Sequence, residues 1–412
     1  MTKDMTNGSP MKLILGFSIP LLFGYLFQQF YNLVDTLIVG RFLGVDALAA
    51  VGSTGSLNFL IIGFCMGVCN GFAIPLAHKF GAGDYRGLRA FMVNAIYLSA
   101  IFAVVMTAVT VVFCRPILEL MRTPDNIIDG AYLYIVIIFA GIPATYLYNL
   151  ISAIIRSMGD SKTPVVFLVI SSVMNIALDL VFIINLHLGV AGASLATVIS
   201  QAVSGIGCLI YSWKKFEILH PDAEERRWNS SYMKTLCGMG VPMGLQYSIT
   251  AIGTMMVQSA LNILGSYAVA AFTAGNKIEN IFTQAYVAIG TTMATYNAQN
   301  IGARKLDRVR QGFNSAHIIG ITYAIVTGVI IFFFGKYLSY LFISDNAAEV
   351  IPMVDTYVKC VAVFFIPLHF VNALRNGIQG MGYGLLPMLA GVAELAGRGI
   401  TAMIAAAHKS YF

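Results

Sequence analysis

Charge is what this chain is shortest of. Asp, Glu, Lys and Arg make up 11% of its 412 residues, where a soluble domain carries about 25%. Set against 58% hydrophobic residues, that scarcity excludes an ordinary soluble protein and implies an integral membrane protein. The six cysteines, at 65, 69, 114, 208, 237 and 360, lie mostly in or beside apolar segments and form no paired framework. Cys65 and Cys69 share a helix face, but no further Cys or His stands nearby to complete a metal site. They read as small buried hydrophobes. Neither a G-x-x-x-x-G-K-[ST] loop nor an H-E-x-x-H helix occurs, and the six histidines are scattered. The chain is therefore expected to be no enzyme and to need no cofactor; the energy for any work must come from an ion gradient. No small-residue cleavage site follows a short apolar core at the N-terminus, so the first apolar run is expected to be retained. The net charge of +6 does not point to nucleic acid, because the Lys and Arg sit mainly in short loops.

Long apolar runs are what the chain has in quantity. They cover approximately 13–39, 51–77, 91–113, 130–155, 164–185, 190–212, 236–262, 268–298, 313–334, 350–372 and 384–407. About 20 such residues at 1.5 Å rise each cross a bilayer, so eleven membrane-spanning helices are expected. The one long polar connection, 213–234, carries Lys214, Lys215, Glu217, Asp222, Glu224, Glu225, Arg226 and Arg227. It divides the chain into an N-terminal lobe (1–212, six helices), a linker (213–234) and a C-terminal lobe (235–412, five helices).

Loop charge sets orientation. One set of loops holds Lys3 and Lys12; Lys79, Arg86 and Arg89; Arg156 and Lys162; the 213–234 cluster with Lys234; Arg304, Lys305, Arg308 and Arg310; and Arg375. The other holds only Arg41, Arg115, Arg122 and Lys336. The alternation predicts a multi-pass plasma-membrane protein with its N-terminus and the 213–234 loop in the cytoplasm.

The halves also repeat. Leu43-Gly44-Val45-Asp46-Ala47-Leu48-Ala49-Ala50 aligns without gaps on Leu264-Gly265-Ser266-Tyr267-Ala268-Val269-Ala270-Ala271. Ile19-Pro20 matches Val241-Pro242, Ile142-Pro143 matches Ile366-Pro367, and Met158-Gly159 matches Met381-Gly382. An even number of helices separates the halves, so both start on the same side. The fold class expected is an all-α bundle of two six-helix lobes, related by a parallel pseudo-two-fold axis along the membrane normal. By that repeat the helix at 190–212 should recur beyond Phe412; the chain is expected to lack a twelfth helix through truncation.

Within the apolar runs a few polar residues stand out. Gln28, Tyr31, Asn32 and Asp35 recur at i, i+3, i+4 and i+7 on one face of the first helix. A carboxylate in the hydrocarbon costs about 2.5–3.5 kcal/mol on insertion scales, so this face should look into a bundle or a wet cavity. The simpler alternative is an Asp snorkelling to the outer head groups. Asp179 is the second intramembrane acid, one turn after Asn175. Counted along their helices, Asp35, Asp179 and Thr197 reach a similar depth. Two Asp, an Asn and a Thr form an all-oxygen cluster that suits a hard cation such as Na⁺. Two carboxylates crowded out of water equally favour holding a proton. A polar interhelical clamp without any ion is the structural alternative. Asn149 is a further member, placed nearer the cytoplasmic side. In the second half Met256 stands where Asp35 does in the first, and no acid follows at the place of Asp179, which confines the ion site to the first half. Gln246, Gln258, Asn262, Lys277 and Glu279 are polar positions there, and Glu394 and Arg398, at i and i+4, should pair. Candidate substrate-cavity residues are Gln28, Tyr31, Asn32, Gln246, Lys277 and Glu279. Met243, Met255, Met256, Tyr247, Phe282 and Tyr286 are mostly core or lipid-facing, with a minority suited to a bulky apolar cation.

Val34-Asp35-Thr36-Leu37-Ile38-Val39-Gly40-Arg41-Phe42-Leu43-Gly44 resembles the first-helix signature of the multidrug and toxic compound extrusion (MATE) family. Gly81-Ala82-Gly83-Asp84 with its partner Gly302-Ala303, Arg156-Ser157-Met158-Gly159-Asp160-Ser161-Lys162-Thr163-Pro164, and Asn175-x-x-x-Asp179 are also similar, and the likeness runs through essentially the whole chain. The resemblance implies two six-helix lobes in a V, a central cavity, and antiport of cationic organic compounds against Na⁺ or H⁺. It implies an ion site at Asp35, Asn175, Asp179 and Thr197, with Asn149 as the matching fourth-helix Asn. Some members carry a seventh-helix Glu near the place of Thr250, so the chain is closer to the branch with a first-lobe site. The expected partners are a small-molecule substrate and the lipid bilayer, with the protein acting as a monomer. A lipid-linked saccharide flippase of the same superfamily is the alternative, disfavoured because such proteins favour an Arg-rich cavity and few Arg here are expected to lie within helices. A non-transporting scaffold is the third reading, and it gains nothing from two buried acids.

Overall fold

A computed structural model describes residues 4–340 and 347–408, and Lys3 of the loop-charge pattern lies outside them. The described residues form α1 (Pro10–Leu43), α2 (Val45–Ser53), α3 (Gly55–Gly81), α4 (Tyr85–Leu120), α5 (Ile128–Ala140), α6 (Ile142–Ser157) and α7 (Lys162–Leu180). There follow α8 (Val190–Lys215), α9 (Ser230–Leu264), α10 (Ser266–Gly302), α11 (Leu306–Ser339), α12 (Ala347–Val363), α13 (Phe365–Gly380) and α14 (Leu385–His408). A π-helical turn, Val181–Asn185, continues α7 immediately after Asp179.

Among the described residues, seven helices are long and apolar enough to cross a membrane: α1, α3, α4, α7 with its π turn, α8, α11 and α14. Two bent pairs bring the number to nine. The spans expected at 130–155 and 350–372 are each broken, α5 against α6 by 47° and α12 against α13 by 52°. Pro143 and Pro367 sit just after the two breaks. Proline has no N–H to give the preceding turn and its ring crowds the carbonyl four residues back, so each span kinks there. The remaining expected spans, α9 and α10, run 35 and 37 residues and are the more polar rods of the bundle.

The two halves share local geometry at matching places. Gly44 and Gly265, which end α1 and α9, have φ of 87° and 104°; Gly159 and Gly382 have 84° and 101°. These are left-handed values that a side chain rarely adopts, so the repeated glycines are turn requirements.

In the first half α3, α4, α5, α6 and α8 enclose a core that includes Cys65, Cys69, Val68, Phe72, Leu88, Phe139 and Ile155. In the second, α10 to α13 pack around Tyr286, Ala324, Ile331, Val354 and Phe365. The histidines scattered in sequence are not all apart in space, since His317 Nδ1 lies 3.2 Å from His369 Nε2 inside this second half. The halves meet where α3 lies along α9 and α10. A methyl group at Gly81 would overlap Gln299 and one at Gly302 would overlap the carbonyl of His78, so glycine is what lets these backbones touch. The same end is tied by polar contacts. His78 Nε2 pairs with Gly380 O at 2.8 Å, Gln299 Nε2 donates to Ser157 O at 2.8 Å, and Gln299 Oε1 accepts from Met5 N at 2.9 Å. This end, where the N-terminal segment lies, is closed.

The 213–234 connection is strapped onto α4. Arg89 donates twice to Glu225, each at 2.7 Å, Arg86 pairs with Glu224, Asn94 Oδ1 accepts from Asn229 N at 2.9 Å, and Phe91 stacks on Tyr232 with centroids 4.2 Å apart. The Arg89 guanidinium holds the Glu225 carboxyl below its usual range.

Candidate functional site: two chambers of opposite charge

The polar face expected on α1 forms one wall of a chamber of about 320 Å³ inside the first half. Gln28, Tyr31, Asn32 and Asp35 all line it, opposite Tyr148 and Asn149 of α6, Ser172 and Asn175 of α7, and Thr197 and Gln201 of α8. Helical spacing brings the α1 residues to one side, and the bend at Gly141 re-aims α6 so that Thr145 and Asn149 join them. Thr145 Oγ1 donates to Gln201 Oε1 at 2.9 Å, and Asn149 Nδ2 donates to the Thr145 carbonyl at 2.8 Å.

Asp179 is fully buried behind this wall, and its carboxyl neighbours that of Asp35 closely enough for one shared proton to bridge them. Asn175 links the cluster. Turned so that both ends of its amide are paired, it donates to Asp179 Oδ2 at 3.3 Å and accepts from Thr197 N at 3.1 Å. Among the described residues, Asp35 Oδ1 and Asp179 Oδ1 are buried without a hydrogen-bond partner. Two orphaned carboxylate oxygens, one on the chamber wall and one behind it, are what a bound proton or hard cation would satisfy. Of the five residues expected at an ion site, Asp35, Asn149, Asn175 and Thr197 line one chamber, and Asp179 lies buried behind its wall.

A second chamber, about 260 Å³, lies between the halves. Its walls come from α3 (Asn70, Ala77), α6 (Arg156), α9 (Gln246, Tyr247, Thr250), α10 (Thr291, Thr295) and α13 (Asn372, Arg375, Gln379). Phe59 is common to both chambers. Two expectations are corrected here. Arg156 and Arg375 are not loop charges: each sits inside its helix and faces the chamber. Arg156 donates to Asn70 Oδ1 at 3.0 Å and Arg375 pairs with Glu394 at 2.7 Å. Glu394 also takes the expected partner Arg398, at 2.6 Å. Of the substrate-cavity residues, Gln246 lines this second chamber, whereas Lys277 and Glu279 line neither. Glu279 is held by the Tyr357 hydroxyl at 2.5 Å, and Lys277 is exposed on α10.

Gln246 apart, sequence reasoning missed the polar lining of the second chamber. One signal was present: the repeat that aligns Met158-Gly159 with Met381-Gly382 also aligns Arg156 with Gln379, and both face the same space.

The MatE family model matches residues 20–181 and 242–401. A probable multidrug resistance protein of Bacillus subtilis, YpnP, is 30% identical over 393 residues, 94% of this chain and 86% of the relative. An FAD transporter of Shewanella oneidensis is 25% identical over 380 residues, 89% of this chain and 82% of its own. Among solved structures, a MATE protein in complex with MaL6 has a TM-score of 0.90 at 22% identity, over 99% of this chain and 98% of that one.

Proposed function

Because this chain belongs to the MatE family, whose members are transporters and not enzymes, we propose that it exports amphipathic, drug-like compounds across the cell membrane in exchange for Na⁺ or H⁺. The observation that carries the coupling is the pair Asp35 and Asp179, with an unpartnered buried oxygen on each. An ion can do work only by binding one conformation better than another. Two neighbouring carboxylates that change their shared proton or cation as the bundle opens and closes provide that difference, and they would titrate as a pair. Asn175 and Thr197 position the pair, and Asn149 extends the polar wall. The acid-walled chamber suits the cationic substrates that the family resemblance implies.

The architecture proposed is two lobes related by a parallel repeat. The matched left-handed glycines and the two proline bends support it. The positively charged loops support an N-terminus in the cytoplasm.

The test is efflux from vesicles under an imposed Na⁺ or H⁺ gradient. Asp35→Asn and Asp179→Asn keep shape and hydrogen bonding but remove the charge. Each is expected to abolish gradient-driven export, and near-normal export in both would reduce the pair to a structural clamp.

One observation favours a second reading, the flipping of lipids with anionic head groups: two arginines, Arg156 and Arg375, line the chamber between the halves.

A further inference from the structure

The chamber between the halves has a chemistry opposite to that of the chamber at Asp35. Two guanidiniums reach its lining and no carboxylate does. Among the described residues Arg156 forms no ion pair, and its one hydrogen bond goes to a neutral amide oxygen, Asn70 Oδ1. Arg375 shares its only carboxylate, Glu394, with Arg398, and its Nε is buried without an acceptor. A buried guanidinium N–H without an acceptor is costly to keep, and a planar fork of donors fits carboxylate and phosphate oxygens. The remaining walls supply what would hold the rest of such a ligand. Tyr247, Phe59 and Met243 are flat or adaptable apolar surfaces, and Asn372, Asn376 and Thr295 add hydrogen-bonding groups. A cation entering this space would meet two guanidiniums, only one of them ion-paired, and no carboxylate in the lining.

We infer that the chamber between the halves is a binding site for the oxyanion of an amphipathic aromatic molecule, a carboxylate or phosphate held by Arg156 and Arg375. Beside the cations that suit the chamber at Asp35, the chamber between the halves would then take organic anions, or zwitterions whose cationic end reaches past Phe59 toward Asp35. This rests on the transport reading for its biological sense, but binding itself needs no ion gradient, so the two can fail separately. The oxyanion can belong to a free solute or to a lipid head group.

The test uses two dyes on one xanthene scaffold, the anion fluorescein and the cation rhodamine 6G. Each is titrated by fluorescence anisotropy against the full chain in nanodiscs of neutral lipid. Fluorescein is expected to bind, and Arg156→Gln and Arg375→Gln are each expected to weaken it at least tenfold. Arg156→Lys should recover part of the loss. Because Arg156 has only a neutral partner, its Gln variant leaves no buried carboxylate stranded, and unchanged thermal unfolding verifies that it folds. Rhodamine 6G should bind as before or more tightly in the Arg156→Gln variant. Adding phosphatidylglycerol to the nanodiscs separates the two sources: competition with fluorescein assigns the site to a lipid head group, and its absence to a free solute. Fluorescein affinity unchanged in both Gln variants, or rhodamine binding that weakens when the arginines are replaced, would overturn the assignment.

Discussion

At the scale of single residues, what decides each side chain's role is where its counter-charge comes from. Glu225 finds its own across sequence, in Arg89, and its carboxyl sits below the usual range because of those two hydrogen bonds. A carboxyl lowered in the folded state stabilises it fully above the unfolded value, about 4.3. That stabilisation is lost as pH falls through the lower folded value. Glu225→Gln should therefore loosen the 213–234 strap at neutral pH, where the unsubstituted chain holds it. A hydrogen bond to a charged group contributes about 1.5–3 kcal/mol, so amide hydrogen exchange at 222–229 should rise roughly tenfold or more. Unchanged exchange would mean that the other contacts, Arg86 with Glu224, Asn94 with Asn229 and the Phe91–Tyr232 stack, hold the strap without it. The same logic explains which site residues were legible in the sequence. Asp35 and Asp179 stand out because no loop can claim a carboxylate that deep in an apolar run. Arg156 and Arg375 did not, because a cation near the end of such a run looks like its flank. Their partners, Asn70 and Glu394, lie 86 and 19 residues away and leave no local mark.

At the scale of helices, the sequence carries the rods and their polar stripes well, since both follow from periodicity. It carries bends less well. Pro143 and Pro367 were visible as members of a repeat, yet a proline near the middle of an apolar run is compatible with a kink, a break or an end. Here each follows a sharp bend, and the first of them re-aims Thr145 and Asn149. By straight counting Asn149 belonged nearer the positively charged side; the structure puts it in the wall of the chamber that Asp35 lines. Pro143→Ala allows α5 and α6 to run on as one rod. The expected outcome is a loss of export rate of roughly tenfold, since a misplacement of about 1 Å in a positioned group can cost that much or more, with the stability of the bundle retained. Efflux rate and thermal unfolding, measured side by side, check it. A full export rate would make the bend a feature of packing alone.

At the scale of the whole molecule, the halves touch backbone to backbone along α3, at Gly67 and Gly71 against α9, and again at Gly81 and Gly302 at the end where the N-terminal segment lies. Gly302 lies against the His78 carbonyl and Gly81 against Gln299, so a β-branched side chain at either place holds the halves apart. Overpacking of this kind costs about 1–3 kcal/mol, which shifts a two-state balance by roughly 5- to 150-fold toward the form open at that end. A thiol at Thr250→Cys, in the chamber between the halves, reports the shift. With Gly302 intact it should react from the side away from the N-terminal segment; with Gly302→Val it should react from the N-terminal side. A second thiol placed within 217–227 should react from the cytoplasm alone and so fixes which side that is. Reaction from the same side in both forms would mean that the glycine contact does not govern opening.

The glycine seam bears also on what must not cross. A membrane stores about 2.3 kcal/mol per elementary charge for each 100 mV, and any file of water through a transporter would discharge it without useful work. Side chains that seal by interdigitating leave gaps as they change rotamer. Backbones in van der Waals contact leave no space for a water molecule, so the seam at Gly81 and Gly302 serves as the electrical insulation of the machine.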